Sequence, residues 1–145
     1  MKVSLIGHHD APPHIRETLK EILTELIIHE NASLFYVGNQ GAFDKMAYHV
    51  LAELEAEYPT IRFFVIFAYM PTRSEYPSNH TILPEEAAKS HPKYAILKRN
   101  KWMIEHSDVV VSYVTYSFGG AAKYKETARK KGKRIVEISE RFKGK

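Results

Sequence analysis

Short apolar runs rich in valine, isoleucine and phenylalanine alternate along this chain with stretches whose apolar residues recur at helical spacing. That alternation constrains the fold more than any other feature, because strand–helix–strand units with covered strands close into parallel, right-handed βαβ arrangements. Residues 3–7 form the first run and end in Gly7. Pro12 and Pro13 suit the first turn of a helix, whose stripe of Ile15, Leu19, Ile22, Leu23, Leu26 and Ile27 continues to about His29. Asn31 stops that helix, and residues 34–37 are a second strand closed by Gly38. Phe43, Met46, Ala47, Val50, Leu51 and Leu54 mark a second helix that ends before Pro59. Residues 61–68 are apolar almost throughout, as expected of a strand covered on both faces.

The stretch 69–92 carries Pro71, Pro77, Pro84 and Pro92 and reads as a long loop with a helical turn near 85–89, a length usual for lids and binding loops. A helix over 93–106, a buried strand over 108–114, a helix over 120–131 capped by Gly132 and a last strand over 134–138 complete the chain. The pattern predicts a single α/β domain over 1–145. It is a three-layer Rossmann-like arrangement, a mostly parallel five-stranded sheet with helices on both faces. Strands 3–7 and 108–114 are adjacent at its centre.

With 145 residues, 44% hydrophobic and 26% charged, the chain suits one globular domain. It has no cysteine, which excludes disulfides and thiolate metal sites. The N-terminal apolar run is too short for a signal peptide, and none approaches the ~20 residues of a membrane helix. A cytoplasmic protein without a membrane partner is the expectation. The net charge of +4 comes largely from Lys123, Lys125, Arg129, Lys130, Lys131, Lys133 and Arg134, with Arg141, Lys143 and Lys145 following. A basic stretch beside a helix reads as a solvated face, and no nucleic-acid motif accompanies it, so nucleic acid is not an expected partner.

In open parallel sheets ligands settle at the carboxyl ends of the strands, near the point where strand order reverses. Four segments meet there: Gly7-His8-His9, Gly38-Asn39-Gln40-Gly41, Ala68-Tyr69 and residues 115–120, the last ending in Gly119-Gly120. Glycines after strands allow close backbone approach, and the helices that follow offer N–H groups to an anion. Tyr69 is the aromatic candidate for stacking on a base, with Pro71 steering the chain onward into the loop, whereas Tyr113 and Tyr116 read as closing the core. His8 and His9 point to opposite faces of a strand, and no partner stands at ligand spacing, so no metal and no cofactor are expected.

The block Arg99-Asn100-Lys101-Trp102-Met103-Ile104-Glu105-His106-Ser107-Asp108, a β-branched strand, and then Gly119-Gly120-Ala121-Ala122-Lys123-Tyr124-Lys125-Glu126 resembles the SLOG superfamily. That superfamily includes the LOG ("lysine decarboxylase-like") phosphoribohydrolases and the YpsA-like proteins. Arg99, Met103, Ser107, Asp108, Gly119, Gly120 and Glu126 fall on the LOG spacing. The turn Gly38-Asn39-Gln40-Gly41 followed by Asp44 is similar to the YpsA-like branch, as is Gly7-His8-His9, with His9 replacing an arginine. The chain departs from LOG enzymes at Phe118, where they have proline, and at Ala122-Lys123, which replace the Gly-Thr of their phosphate cradle. Lys123 supplies charge there without the same geometry.

The resemblance implies a nucleotide or nucleotide-derivative binding domain, a sensor or accessory module, whose small-molecule ligand touches Gly7, His8, Gly38, Gln40, Gly41, Asp44, Tyr69, Arg99, Gly119, Gly120 and Lys123. Glu126 would lie on the ribose side. It also implies self-association as a homodimer. The alternative is a nucleotide N-glycosidase, a hydrolase of nucleoside monophosphates in which Arg99 and Glu126 are catalytic. A third reading is an interaction protein with a vestigial pocket.

Overall fold

The structure is a computed structural model that describes residues 1–70 and 76–143. Pro71, with its expected role in steering the chain into the long loop, lies outside the described residues, as does Lys145. Six strands, β1 (Lys2–Gly7), β2 (Leu34–Val37), β3 (Arg62–Ile66), β4 (Thr81–Ile82), β5 (Val109–Tyr113) and β6 (Arg134–Glu137), form one sheet in the order β4-β3-β2-β1-β5-β6. Every neighbouring pair is parallel. The helices are α1 (Arg16–Glu30), α2 (Ala42–Glu57), α3 (Glu85–Ala88), α4 (Pro92–Glu105) and α5 (Gly120–Lys130).

The sheet therefore has six strands where five were expected. The added strand, β4, is two residues long and pairs with Val65 and Ile66 of β3 through the main chain. Phe67 donates its N–H to the Ile82 carbonyl at 2.8 Å beside this pairing. A strand this short leaves no side-chain periodicity to read, so the proline-rich stretch gave no sign of it. The helical turn expected near 85–89 is α3.

Side chains alternate across the strands and feed two cores. Val3, Leu5, Phe35, Val37, Val109 and Val111 pack with the apolar stripes of α1 and α2 on one face. Ile6, Tyr36, Ile66 and Val110 pack with Met103 and Ile104 of α4 and with Ala121, Tyr124 and Ala128 of α5 on the other. Covering both faces is what turns the strands into continuous apolar runs. A short 3-10 turn at Pro13–Ile15 precedes α1, which ends at Asn31 in the left-handed conformation, φ 57°.

From β1 the chain steps outward through β2 and β3 to β4, then returns to lay β5 on the other side of β1. Strand order thus reverses between β1 and β5, and the loops after these two strands part over a crevice. No helix among the described residues is long and apolar enough to cross a membrane.

Candidate functional site

At this reversal lies a cleft of ≈ 310 Å³, at the small end of the range for ligand sites. Gly7, His8 and His9 enter it from the end of β1, Gln40 and Asp44 from the head of α2, and Ile96, Arg99 and Asn100 from α4. Tyr116, Phe118, Gly119, Gly120 and Ala121 close it from the turn between β5 and α5. A larger depression of ≈ 540 Å³ borders α1 and α2, where Arg16 and Glu53 pair with each other and Lys45 also lines the wall. Of the buried polar residues, His8, Asp44 and Arg99 line the smaller cleft.

Two of them are Asp44 and Arg99, 4% and 3% exposed. Asp44 Oδ2 accepts the Gln40 backbone N–H at 2.9 Å, while its Oδ1 is buried without a partner among the described residues. Burial pushes the Asp44 carboxyl up to about 6, although the Gln40 N–H and the nearby Arg99 guanidinium both favour its charge. Arg99 donates from Nη1 to the Ile66 carbonyl at 3.0 Å and from Nε to Asn100 Oδ1 at 2.8 Å. Burial lowers its pKa and the Asp44 carboxylate opposes that. Gly38 makes this proximity feasible, since a Cβ there would lie 2.7 Å from Asp44 Oδ2 and 3.0 Å from Arg99 Nη1.

The remaining glycines of the expected set separate by what faces them. A Cβ on Gly7 would run into the Phe43 ring, and one on Gly41 would lie 2.6 Å from His9 Cα, so both serve close packing of the turns. Gly119 and Gly120 have no atom within 4 Å of where a Cβ would stand. Gly119 has φ +91° and starts α5, so its absent side chain satisfies the backbone while leaving the helix head open toward the cleft. The first N–H groups of a helix have no internal acceptor and attract anions.

His8 is buried and its pKa is lowered, chiefly by that burial, against the carboxylates of Asp10 and Glu137. Its Nε2 receives the Thr115 backbone N–H at 2.9 Å. An N–H can only donate, so this nitrogen is unprotonated and Nδ1 carries the proton of the neutral ring. Tyr116 lies parallel on His8 with ring centres 3.5 Å apart, and Phe118 leans on Tyr116 at 4.4 Å.

The structure gathers Gly7, His8, Gln40, Asp44, Arg99, Gly119 and Gly120 of the expected set on the cleft. Tyr69 is half exposed and is not among the residues lining the cleft; Gln40 Nε2 donates to its hydroxyl at 3.4 Å. Lys123 lines an adjoining groove between α4 and α5 that shares Ile96, Asn100, Gly119 and Gly120 with the cleft. Glu126 is not brought to the cleft. It is exposed on α5 and grips Arg129 through two bonds, at 2.6 and 3.0 Å. Met103, Ser107 and Asp108 serve the frame: Met103 is in the core, Ser107 bonds Met103 and Ser4, and Asp108 accepts the Lys2 N–H at 2.9 Å. The sequence reading missed Asn100, Tyr116 and Phe118 as site residues; the position of the two rings just before Gly119-Gly120 was the available signal.

No family model matches the chain, and none of the curated proteins does. Solved structures with the same fold include DNA processing protein A from Streptococcus pneumoniae, with a TM-score of 0.68 at 13% identity over 94% of this chain. Another is DNA processing protein A from Helicobacter pylori, with a TM-score of 0.62 at 22% identity, again over 94% of this chain. The chain spans 49% of the first protein and 64% of the second, less than two thirds of either. At these identities the likeness establishes the Rossmann-like fold. It also corrects one expectation. Nucleic acid was set aside because no motif accompanied the basic charge, yet the Helicobacter pylori protein, built on this fold, binds single-stranded DNA.

Proposed function

We propose that this chain is a SLOG-type domain that binds a nucleotide unit in the cleft, with the phosphate at the head of α5. The observation that carries the reading is the open space at Gly119 and Gly120, which begin a helix beside the buried Arg99 and the half-unpartnered Asp44. The helix head supplies N–H donors for an anion, and Arg99 supplies a fixed positive charge. A binding module is favoured over an N-glycosidase by the position of Glu126, whose carboxylate is engaged by Arg129 on the exposed side of α5. A general base must reach the water or bond it acts on. An open cleft also speaks against a vestigial pocket.

A second reading places the same unit within a single strand of nucleic acid. The groove between α4 and α5, ≈ 650 Å³, continues the cleft past Gly119 and Gly120 and is lined by Lys101, Lys123 and Lys131. Single-stranded DNA binding by the Helicobacter pylori neighbour favours this reading too.

Thermal melting in the presence of nucleoside monophosphates and of a short oligodeoxythymidylate tests both. A ligand that binds only the native state raises the melting temperature by mass action. At Gly120 a Cβ meets no neighbour among the described residues, so Gly120→Val is expected to fold normally, to fill the open space and to lose the shift. Melting curves unmoved by every one of these compounds in the wild-type chain would overturn the reading.

A further inference from the structure

The rings of His8, Tyr116 and Phe118 form a series that runs from the interior to the mouth of the cleft, His8 and Tyr116 stacked and Phe118 tilted by 32° against Tyr116. His8 is 3% exposed and pinned at Nε2 by the Thr115 N–H. Tyr116 lies 4° from parallel to it and is tied by its hydroxyl, which donates to Asp10 Oδ1 at 3.2 Å. Phe118 ends the series 71% exposed. A single exposed apolar side chain is ordinary on a protein surface. Here the exposed ring leans on Tyr116, itself stacked on the anchored His8, lines the cleft, and stands just before the Gly119-Gly120 helix head. Ile96 of α4, also exposed, lines the same cleft. Its apolar members at the mouth are thus solvent-facing, while the polar Asp44 and Arg99 are buried within it.

Resting on the proposed phosphate site at the head of α5, we infer that Phe118 is a stacking platform for a planar aromatic base, so that the cleft selects base-bearing phosphates over bare sugar phosphates. The chemistry follows from the layout. A nucleobase has apolar faces and a polar rim, and it stacks on an aromatic ring whatever its sequence identity. Gly119 and Gly120 leave room for the phosphate next to that ring, and the anchored Tyr116 and His8 hold the platform in place without further ordering on binding. Phe118 thereby acquires a role that the proline at the equivalent LOG position does not offer.

Calorimetric titration of the full chain with adenosine 5′-monophosphate, uridine 5′-monophosphate and ribose 5-phosphate tests the inference. Stacking on one ring corresponds to an affinity ratio of about tenfold to a hundredfold between adenosine 5′-monophosphate and ribose 5-phosphate. Phe118→Ala is expected to bring that ratio near one while ribose 5-phosphate binds as before, and Phe118→Trp to preserve it. Uridine 5′-monophosphate, with the smaller ring, falls between. If ribose 5-phosphate binds the wild type as tightly as the nucleotides, or Phe118→Ala leaves the ratio intact, the platform is refuted. Loss of binding in Gly120→Val would then show that the phosphate site stands without it. Absence of binding by all three compounds would remove both the site and the platform.

Discussion

Burying Asp44 behind Gly38 raises its pKa to about 6, and the direction of that shift decides how stability responds to pH. In the unfolded chain the carboxyl titrates near ~4. Between these two values the folded state holds the proton more tightly, so this group's contribution to stability falls as pH rises from about 4 to about 6. Above that the charged form costs about 3 kcal/mol. Asp44→Asn keeps the shape and removes the titration. The variant is expected to match the wild type near pH 4 and to exceed it by up to about 3 kcal/mol at pH 7, read from urea unfolding across that range. A stability difference that does not change with pH would refute the account. A carboxylate kept at such a loss in stability is what the proposed binding site would account for. How far the sequence disclosed that site follows from the same residues. Asp44 and the glycine turns were legible because glycine after a strand and a charge at a helix head are local patterns, whereas Arg99, in the middle of α4, was singled out only by its resemblance to the LOG spacing. What faces each glycine is not local. Gly7 meets Phe43, Gly38 meets Asp44 and Arg99, whereas Gly119 and Gly120, of the glycines on the cleft, face open space among the described residues. Glu126 had the right spacing, but its direction around α5 depends on Arg129 and on how the helix seats against the sheet.

At the scale of elements, the edge strand β6 is joined to its neighbours by one side chain. Glu137, 8% exposed at its side chain, accepts from Ser112 Oγ at 2.6 Å, the Val114 N–H, Ser139 N–H and Oγ, and Lys125 Nζ at 2.8 Å. Burial alone would raise its pKa, but the Lys125 ammonium and the hydroxyl and backbone donors outweigh burial and hold it below the usual carboxylate value. The clamp is therefore intact above the unfolded-state pKa and is lost as pH falls through the folded one. Its donors come from β5, from the turn that places Thr115 against His8, from α5 and from the last 3-10 turn. Glu137→Ala would leave those donors unsatisfied and is expected to cost about 2–3 kcal/mol. Thermal melting measures this, and an unchanged melting temperature would remove the clamp. The major strands and helices were legible because both faces of the sheet are covered and each helix carries an apolar stripe. β4 was not, since Thr81-Ile82 has no period of its own and exists through pairing with β3. The 3-10 turn at Ile138–Phe142 was equally silent, because it is set by Glu137 accepting the Ser139 N–H.

Over the whole molecule the net charge of +4 is distributed unevenly once pairing is considered. Around α1 and the C-terminal segment the cations are engaged: Arg16 and Lys20 by Glu53, Arg134 by Glu30, Arg141 by Glu25. On α4 and α5 the balance differs. Lys98 and Lys123 make no ion pair among the described residues, and Lys101 and Lys131 share the single Glu105 carboxylate at 3.8 and 3.9 Å. Excess positive charge from Lys101, Lys123 and Lys131 therefore collects along the groove that prolongs the cleft, the arrangement that follows a phosphate backbone rather than one phosphate. Salt dependence separates these two ligands. A strand lying in the groove displaces counterions at each phosphate contact, and its log affinity falls with log salt by about 0.7 for every phosphate neutralised. A mononucleotide at the head of α5 has one phosphate to lose. A short oligodeoxythymidylate is thus expected to show a slope about three times that of thymidine 5′-monophosphate, measured by fluorescence anisotropy and calorimetry between about 50 and 200 mM salt. Lys101→Gln combined with Lys131→Gln should flatten the oligonucleotide slope by about 1.4, two contacts' worth, and leave the mononucleotide affinity where it was. Equal slopes for the two ligands in the wild-type chain would confine recognition to the cleft and end the single-strand reading.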